Sequence, residues 1–109
     1  MSNYNSINPL VYPDKIFNLQ GRTALLFGGA GKMGQQFAQT LGLSGANVVI
    51  SDIDLEKCNR VASELSSDYS LSISVIQCDT QDEDNIVSTV SKVIESHGAI
   101  DILIYKIVK

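Results

Sequence analysis

The stretch TALLFGGAGKMGQQFAQTLGLSGANVVISD, running from Thr23 to Asp52, decides the fold of this chain. It opens with an apolar run typical of a buried strand, passes through a glycine-dense turn and enters a segment with helical spacing of its apolar residues. A second apolar run, Val48 to Ile50, is followed by the acid Asp52. Strand, glycine turn, helix, strand and acid, in this order, are typical of a nucleotide-binding βαβ unit.

The glycines of the turn have the spacing G-x-G-x-x-G over residues 29–34. Gly29 permits a tight turn, Gly31 would let a pyrophosphate approach the backbone, and Gly34 would let the helix pack close to the strand. Unpaired N–H groups and partial positive charge at the helix N-terminus favour the same phosphate. An ordinary glycine-rich loop is the alternative, but the flanking strand, helix and acid favour a dinucleotide site.

Composition indicates one small globular domain, since the 109 residues are 44% hydrophobic and 18% charged. The net charge of −4 argues against a nucleic-acid partner, which would require basic patches. The sequence predicts neither a membrane span nor a signal peptide, so we expect a cytoplasmic protein. Cys58 and Cys78 are expected to be reduced and buried, and His97 has no ligand-spaced partners, so no metal site is expected.

The remaining periodicities extend this unit to a βαβαβαβ pattern. Predicted helices cover residues 32–44, 55–67 and a third segment that ends at Gly98, and predicted strands cover 23–27, 47–51, 72–78 and 100 onward. Gly45 is placed for a left-handed helix end, Asp54 for an N-cap, and Thr80 with Glu83 for a capping box. Right-handed crossovers then predict a Rossmann-like open parallel sheet of order 3-2-1-4, with helices on both faces.

Apolar residues recur at helical spacing in all three predicted helices. The first helix has Met33, Phe37 and Leu41 at four-residue spacing. The buried stripes predicted for the next two are Leu55, Cys58, Val61, Ala62 and Leu65, and Ile86, Val87, Val90, Val93 and Ile94. Residues 1–20 contain two prolines and read as an N-terminal arm, whose Ile16, Phe17 and Leu19 pack onto the domain edge.

Several landmarks in the expected order resemble the short-chain dehydrogenase/reductase family. The segment FNLQGRTAL, residues 17–25, resembles the family's entry to its first strand, and residues 28–34 resemble its glycine motif. Asp79 and the segment GAIDILI, residues 98–104, resemble its next two landmarks. The resemblance covers residues 16–104 and implies an NAD(P)-binding domain of an oxidoreductase.

The glycine motif departs from the family's commonest form. Phe27 stands where the family usually has threonine, and Lys32 replaces one glycine of G-x-x-x-G-x-G. Gly28, Gly31 and Gly34 instead match G-x-x-G-x-x-G, which is typical of the extended branch of sugar-nucleotide epimerases and dehydratases. The longer segment that ends in GAIDILI resembles the oxidoreductase branch, which we therefore favour.

The end of the chain departs further from the family. Tyr105-Lys106-Ile107-Val108 stands where the family usually has Asn-Asn-Ala-Gly, and the family's catalytic serine, tyrosine and lysine belong to a later half. The resemblance therefore implies that residues 21–109 are a partial domain, from a truncated or frame-shifted member or a deliberate fragment. Tyr105 and Lys109 have Y-x-x-x-K spacing, but they continue a strand, where side chains alternate between faces, so no catalytic residue is assigned.

Asp52 is expected to accept hydrogen bonds from the adenosine ribose and to repel a 2′-phosphate, which favours NAD over NADP. Lys32 argues the other way, since it could pair with a phosphate. The resemblance also implies that Asp79 bonds the adenine amino group; a polar strand end is its structural alternative. The expected cofactor-binding residues are Gly28, Gly29, Gly31, Lys32, Met33, Gly34, Asp52, Ile53, Asp79 and Thr80.

The functional prediction is the nucleotide-binding part of an NAD-dependent oxidoreductase. The parent reaction is hydride transfer between nicotinamide and an alcohol or carbonyl carbon of a small molecule, in a parent that can be a homo-oligomer. The chain alone is expected to be inactive. The alternatives are a non-catalytic nucleotide-binding module, a member of the epimerase and dehydratase branch, or a functionless fragment whose exposed fourth-strand edge aggregates.

Overall fold

The computed structural model describes residues 18–105, to which every structural statement below refers. Its elements in chain order are β1 Thr23–Phe27, α1 Lys32–Leu43, β2 Asn47–Asp52, α2 Leu55–Tyr69, β3 Ile73–Gln77, α3 Glu83–His97 and β4 Ile102–Tyr105. The expectations for Ile16 and Phe17 in the arm, and for Lys106 to Lys109, lie outside the described residues.

The strands of residues 18–105 form one parallel sheet of order β3-β2-β1-β4. This confirms the predicted Rossmann-like topology. β1 lies at the centre and every one of its residues is buried, as its predominantly apolar sequence requires. β3 and β4 are the two edges. Asp101, just before β4, accepts a hydrogen bond from the Thr23 N–H at 2.8 Å and so joins the start of β4 to the start of β1.

Helices cover both faces of the sheet, as predicted. On one face, α1 and α2 enclose a core that includes Leu26, Ile50, Cys58 and Val61. On the other face, α3 covers a smaller core made of Leu25, Phe27, Val49, Cys78 and Val93. Alternate residues of β1 and β2 therefore contribute to different cores, which is the two-residue period of a strand buried on both sides. Leu19 packs against the α1 and α2 core, as expected.

The helix ends are correct to within two residues. Gly45 and Gly98 follow helices with φ of +103° and +88°, a region that glycine enters without strain. Asp54 caps α2 by accepting the Lys57 N–H, as predicted. The capping box of Thr80 and Glu83 is wrong. The N-cap of α3 is Asp82, whose side chain accepts the N–H groups of Asp84 and Asn85.

The apolar stripes are only partly correct. In α3 the predicted Val87 and Ile94 are 65% and 45% exposed, and Thr89 is buried in their place. In α2 the predicted Leu55 is 39% exposed. In α1 the large Met33 and Phe37 are 53% and 40% exposed. The residues of α1 that are buried are Gly34, Ala38 and Gly42, because this helix lies too close to its neighbours for larger side chains.

No helix between residues 18 and 105 combines the length and the apolarity that crossing a membrane requires.

Candidate functional site

The glycine turn is fastened to the carboxyl end of β2. The N–H groups of Gly28 and Gly29 both donate to the Ser51 carbonyl, at 2.8 and 3.1 Å. Gly28 adopts a φ of +77°, which side-chain-bearing residues rarely reach. The turn therefore leaves β1 directly beside the residue that precedes Asp52.

Gly29 and Gly34 are required by close packing within the turn. A Cβ placed on Gly34 would lie 2.5 Å from the Gly29 Cα, and one placed on Gly29 would lie 2.8 Å from a methyl carbon of Ile50. Neither position can hold a side chain unless the turn moves away from the sheet. This confirms that Gly34 allows close approach between the helix and the end of the strand.

Gly31 occupies the N-cap of α1 and has open space around it. A Cβ on Gly31 would meet nothing nearer than the Gly28 carbonyl oxygen at 3.7 Å. No side chain among residues 18–105 caps this helix, and its first turn contains no acid. The first N–H groups of a helix have no partner within it, so those of α1 and the positive end of its dipole face the open space at Gly31.

Asp52 ends β2 on the same face of the sheet as α1. The side chain of Ile50, two residues earlier, lies in the core under α1 and α2, and alternation places Asp52 on that side. The Asp52 Oδ1 accepts the Asp54 N–H at 3.3 Å, which holds one carboxylate oxygen in the loop and leaves the other available. Asp52 is half-buried.

A second group of predicted residues lines a cavity of about 420 Å³ near the carboxyl ends of β2 and β3, on the face of the sheet that α3 covers. A separate groove of about 740 Å³ between α2 and β3 contains none of the predicted residues. The smaller cavity is lined by Ile53 and Asp79, together with Ile76, Gln77, Asn85 and Lys92. The Asp79 N–H donates to the Asn85 Oδ1 at 2.8 Å, and the Asp79 Oδ1 accepts the Gln81 N–H at 3.0 Å.

The remaining predicted residues lie next to the glycine turn or next to the cavity beside Asp79. Lys32 is exposed at the start of α1, and Thr80 is half-buried in the turn after Asp79. Met33 lines a narrow apolar crevice of about 20 Å³ between the glycine turn and Ile104 of β4. The structure thus gathers the ten predicted residues at the carboxyl ends of β1, β2 and β3, where open α/β sheets bind ligands.

The pKa of a buried thiol in α2 is affected by its burial and by the charges of Asp52 and Asp54. Burial, with the charges of Asp52 and Asp54 adding to it, raises the pKa of Cys58 to about 11. Both carboxylates disfavour the negative charge of an ionised Cys58 thiolate.

Sequence reasoning missed two side-chain amides in this region. The Gln77 Nε2 donates to the Ile53 carbonyl at 2.9 Å, and Asn85 accepts the Asp79 N–H as described above. The Gln77 contact joins residues 24 positions apart, so no local pattern could have indicated it. The Asn85 contact spans six residues across an irregular turn, which no helix or strand period describes.

Comparison with known protein families gives a match over most of the chain. A family model described as short chain dehydrogenase matches residues 22–106. The chain belongs to the short-chain dehydrogenase family. This family is the one that the sequence landmarks resemble, and its members named below carry oxidoreductase names.

Two curated relatives show the extent of the match. The chain is 33% identical over 88 residues to 15-hydroxyprostaglandin dehydrogenase [NAD(+)] of Bos taurus, covering 80% of this chain and 33% of that protein. It is 35% identical over 86 residues to a sorbitol dehydrogenase of Cereibacter sphaeroides, covering 79% of this chain and 32% of the relative. The chain thus spans about a third of the length of these relatives.

A solved structure extends the match to three dimensions. The Pseudomonas aeruginosa RhlG/NADP active-site complex is 33% identical and superposes with a TM-score of 0.76, covering 87% of this chain and 37% of that chain. The fold of residues 18–105 is therefore shared with part of that larger structure.

Proposed function

We propose that this chain is the dinucleotide-binding part of an NAD-dependent oxidoreductase. The observation that carries the proposal is the uncapped N-terminus of α1 at Gly31. It lies on the same sheet face as Asp52 and, like Asp52, at the carboxyl ends of the strands. One end of such an arrangement offers backbone donors to a diphosphate. The other offers a carboxylate to ribose hydroxyls about one strand away.

The residues present fit a dinucleotide in three places. Space at Gly31 admits a phosphate to the N–H groups of Lys32, Met33 and Gly34, and a side chain at this position would fill that space. Asp52 has a carboxylate oxygen available for ribose. The cavity beside Ile53 and Asp79 is of a size that suits an adenine ring. When bound, nicotinamide accepts or donates a hydride, and this chain's residues hold the adenosine diphosphate end.

Asp52 is the basis for proposing NAD rather than NADP. Two unit charges about 4 Å apart repel by about 4 kcal/mol at an effective dielectric constant near 20, and exposure of the loop reduces this value. Lys32 opposes the preference only if its exposed side chain reaches the ribose. Relatives of this chain carry the names of both cofactors in their descriptions, so the preference rests on Asp52 itself.

A thermal-shift titration tests the proposal. The chain is melted with NAD, NADP and ADP-ribose, and each ligand that binds the folded state alone raises the midpoint. We expect NAD and ADP-ribose to raise it equally and NADP to raise it less. A cooperatively melting chain that none of the three ligands stabilises would contradict the proposal.

The proposed parent reaction is hydride transfer between nicotinamide and an alcohol or carbonyl carbon. In this proposal the residues of the site bind and orient the cofactor, and no catalytic residue is assigned among them. We therefore expect the 109-residue chain alone to leave NAD unreduced in the presence of secondary alcohols. Absorbance at the NADH band measures this, and sustained NADH formation by the purified chain would contradict it.

A further inference from the structure

Two side-chain amides hydrogen-bond to the backbone of residues that line the cavity beside Asp79. One wall is the loop after β2, where Gln77 donates from its Nε2 to the Ile53 carbonyl at 2.9 Å. The other wall is the turn after β3, where Asn85 accepts the Asp79 N–H at 2.8 Å. Both amides also line the cavity themselves. Each therefore touches the space and the backbone that shapes it.

The wall at Ile53 depends on more than chain connectivity. Ile53 is 60% exposed, so core packing does not fix its position. Three hydrogen bonds fix the loop instead: Cys78 N–H to the Asp52 carbonyl at 3.1 Å, Asp54 N–H to Asp52 Oδ1, and the Gln77 amide to the Ile53 carbonyl. The last is the one that lies at the cavity, and it is made by a side chain.

The wall at Asp79 has a corresponding arrangement. Asp79 precedes α3, and its carboxylate is turned by accepting the Gln81 N–H at 3.0 Å. The Asn85 Oδ1 holds the backbone of the same residue from the first turn of α3. One Asp79 oxygen thus remains available toward a cavity whose apolar lining is Ile53 and Ile76.

We propose that Gln77 and Asn85 are positioning residues for the adenine ring, setting the separation of Ile53 from Asp79 so that an Asp79 oxygen accepts the 6-amino group. The inference rests on the proposed function and deepens it. Isoleucine side chains contact the face of the planar base. The carboxylate distinguishes a base that donates at position 6 from one that accepts there, because a hydrogen bond to a charged group is lost with the wrong base.

The test compares ADP-ribose with inosine diphosphate ribose, whose base has an oxygen in place of the 6-amino group. Calorimetric titration of the wild-type chain should give about a tenfold or greater preference for ADP-ribose, the range for one hydrogen bond to a charged group. Gln77→Met removes the donor at similar length, and Asn85→Ala removes the acceptor. Both variants should lose most of that preference while their affinity for the inosine ligand stays unchanged.

Matched variants separate positioning from general stability. Gln36→Ala and Asn59→Ala truncate exposed amides on α1 and α2, and should keep the full preference. Asn85→Asp keeps an oxygen that accepts the Asp79 N–H and should also retain it. Gln77→Met or Asn85→Ala chains that keep the wild-type preference, or that weaken both ligands equally, would overturn the inference.

Three further outcomes are decisive. If a truncated variant does not melt cooperatively, Asn85→Asp alone decides, and loss of the preference in this variant overturns the inference. A wild-type chain that binds both ligands without preference overturns the inference and leaves the proposed function standing. A folded wild-type chain that binds neither ligand overturns both.

Discussion

The helices of residues 18–105 begin in two different ways. α2 and α3 begin at aspartates, Asp54 and Asp82, whose carboxylates accept backbone N–H groups of the first turn. α1 begins at Gly31, where no side chain of the described residues does the same. Folding alone therefore satisfies donors at two helix starts and leaves those of the third available to an anion.

The glycines of the turn divide in a similar way. Gly29 and Gly34 lack room for a Cβ because backbone and core atoms lie within 3 Å of it. Gly31 has that room. Packing within the chain explains the first two, and the proposed diphosphate explains the third. Substitutions can therefore separate the residues that the fold requires from the residue that the ligand requires.

The largest expected effect follows from Gly34→Ala. The added methyl group would lie 2.5 Å from the Gly29 Cα, which forces α1 away from the sheet. We expect a loss of about 3 kcal/mol or more in the free energy of unfolding, at the upper end for overpacking because the contact is with backbone. Urea denaturation measures it. An unfolding midpoint equal to the wild type would show that the packing argument is wrong.

Gly31→Asp should affect binding more than stability. Aspartate suits an N-cap with the extended φ and ψ of −75° and 172°, so stability should change by only a few tenths of a kcal/mol. Its carboxylate would occupy and repel the diphosphate position, weakening ADP-ribose by about 100-fold or more. Calorimetry measures the affinity.

Gly31→Ala is the matched control for charge, since it fills the space without adding a carboxylate. It should weaken ADP-ribose less than Gly31→Asp does. Unchanged affinity in both variants would place the diphosphate elsewhere.

Asp82→Ala should affect stability more than binding. It removes a side chain that accepts two N–H groups of α3, which costs about 1 kcal/mol. ADP-ribose affinity should fall far less than in Gly31→Asp, since Asp82 itself makes no proposed ligand contact. Denaturation and calorimetry on the same samples check both. A large loss of ADP-ribose affinity in a fully folded Asp82→Ala chain would show that the start of α3 binds the ligand as the start of α1 is proposed to do.

The smallest effect concerns pH and Cys58. Its pKa in the folded chain is about 11, above the value of 9.0 for a thiol in the unfolded chain. The stability contribution is therefore fully present below pH 9.0 and is lost as pH rises through about 11. Cys58→Ala should show a shallower loss of stability over this range than wild type, in denaturation curves taken at several pH values. Parallel curves for the two proteins would contradict it.

The sheet was predictable because its signals are local and continuous. β1 and β2 are built around the apolar runs 24–27 and 48–50, and the glycine spacing of the turn after β1 is visible in the sequence. Strand order followed from the handedness of crossovers.

The helix details were less predictable because competing local signals look alike. Thr80 and Asp82 both have side chains that can cap a helix. In the structure Asp79 forms a turn with Gln81, and α3 begins after this turn with Asp82 as its N-cap. Val87 and Ile94 widen the apolar stripe of α3 beyond the face that the sheet covers, so they are exposed. Gln77 contributes through a tertiary contact, which no sequence period encodes.

The proposed function depends most on which backbone amides ADP-ribose contacts. Amide chemical-shift changes of the isotopically labelled 109-residue chain, followed during titration with ADP-ribose, measure this directly. We expect the largest changes at Gly31 to Gly34 and at Asp52, Ile53 and Asp79, with small changes in the groove between α2 and β3. Largest changes in the groove between α2 and β3, lined by Ser63 and Ser66, or none at saturating ligand, would contradict it.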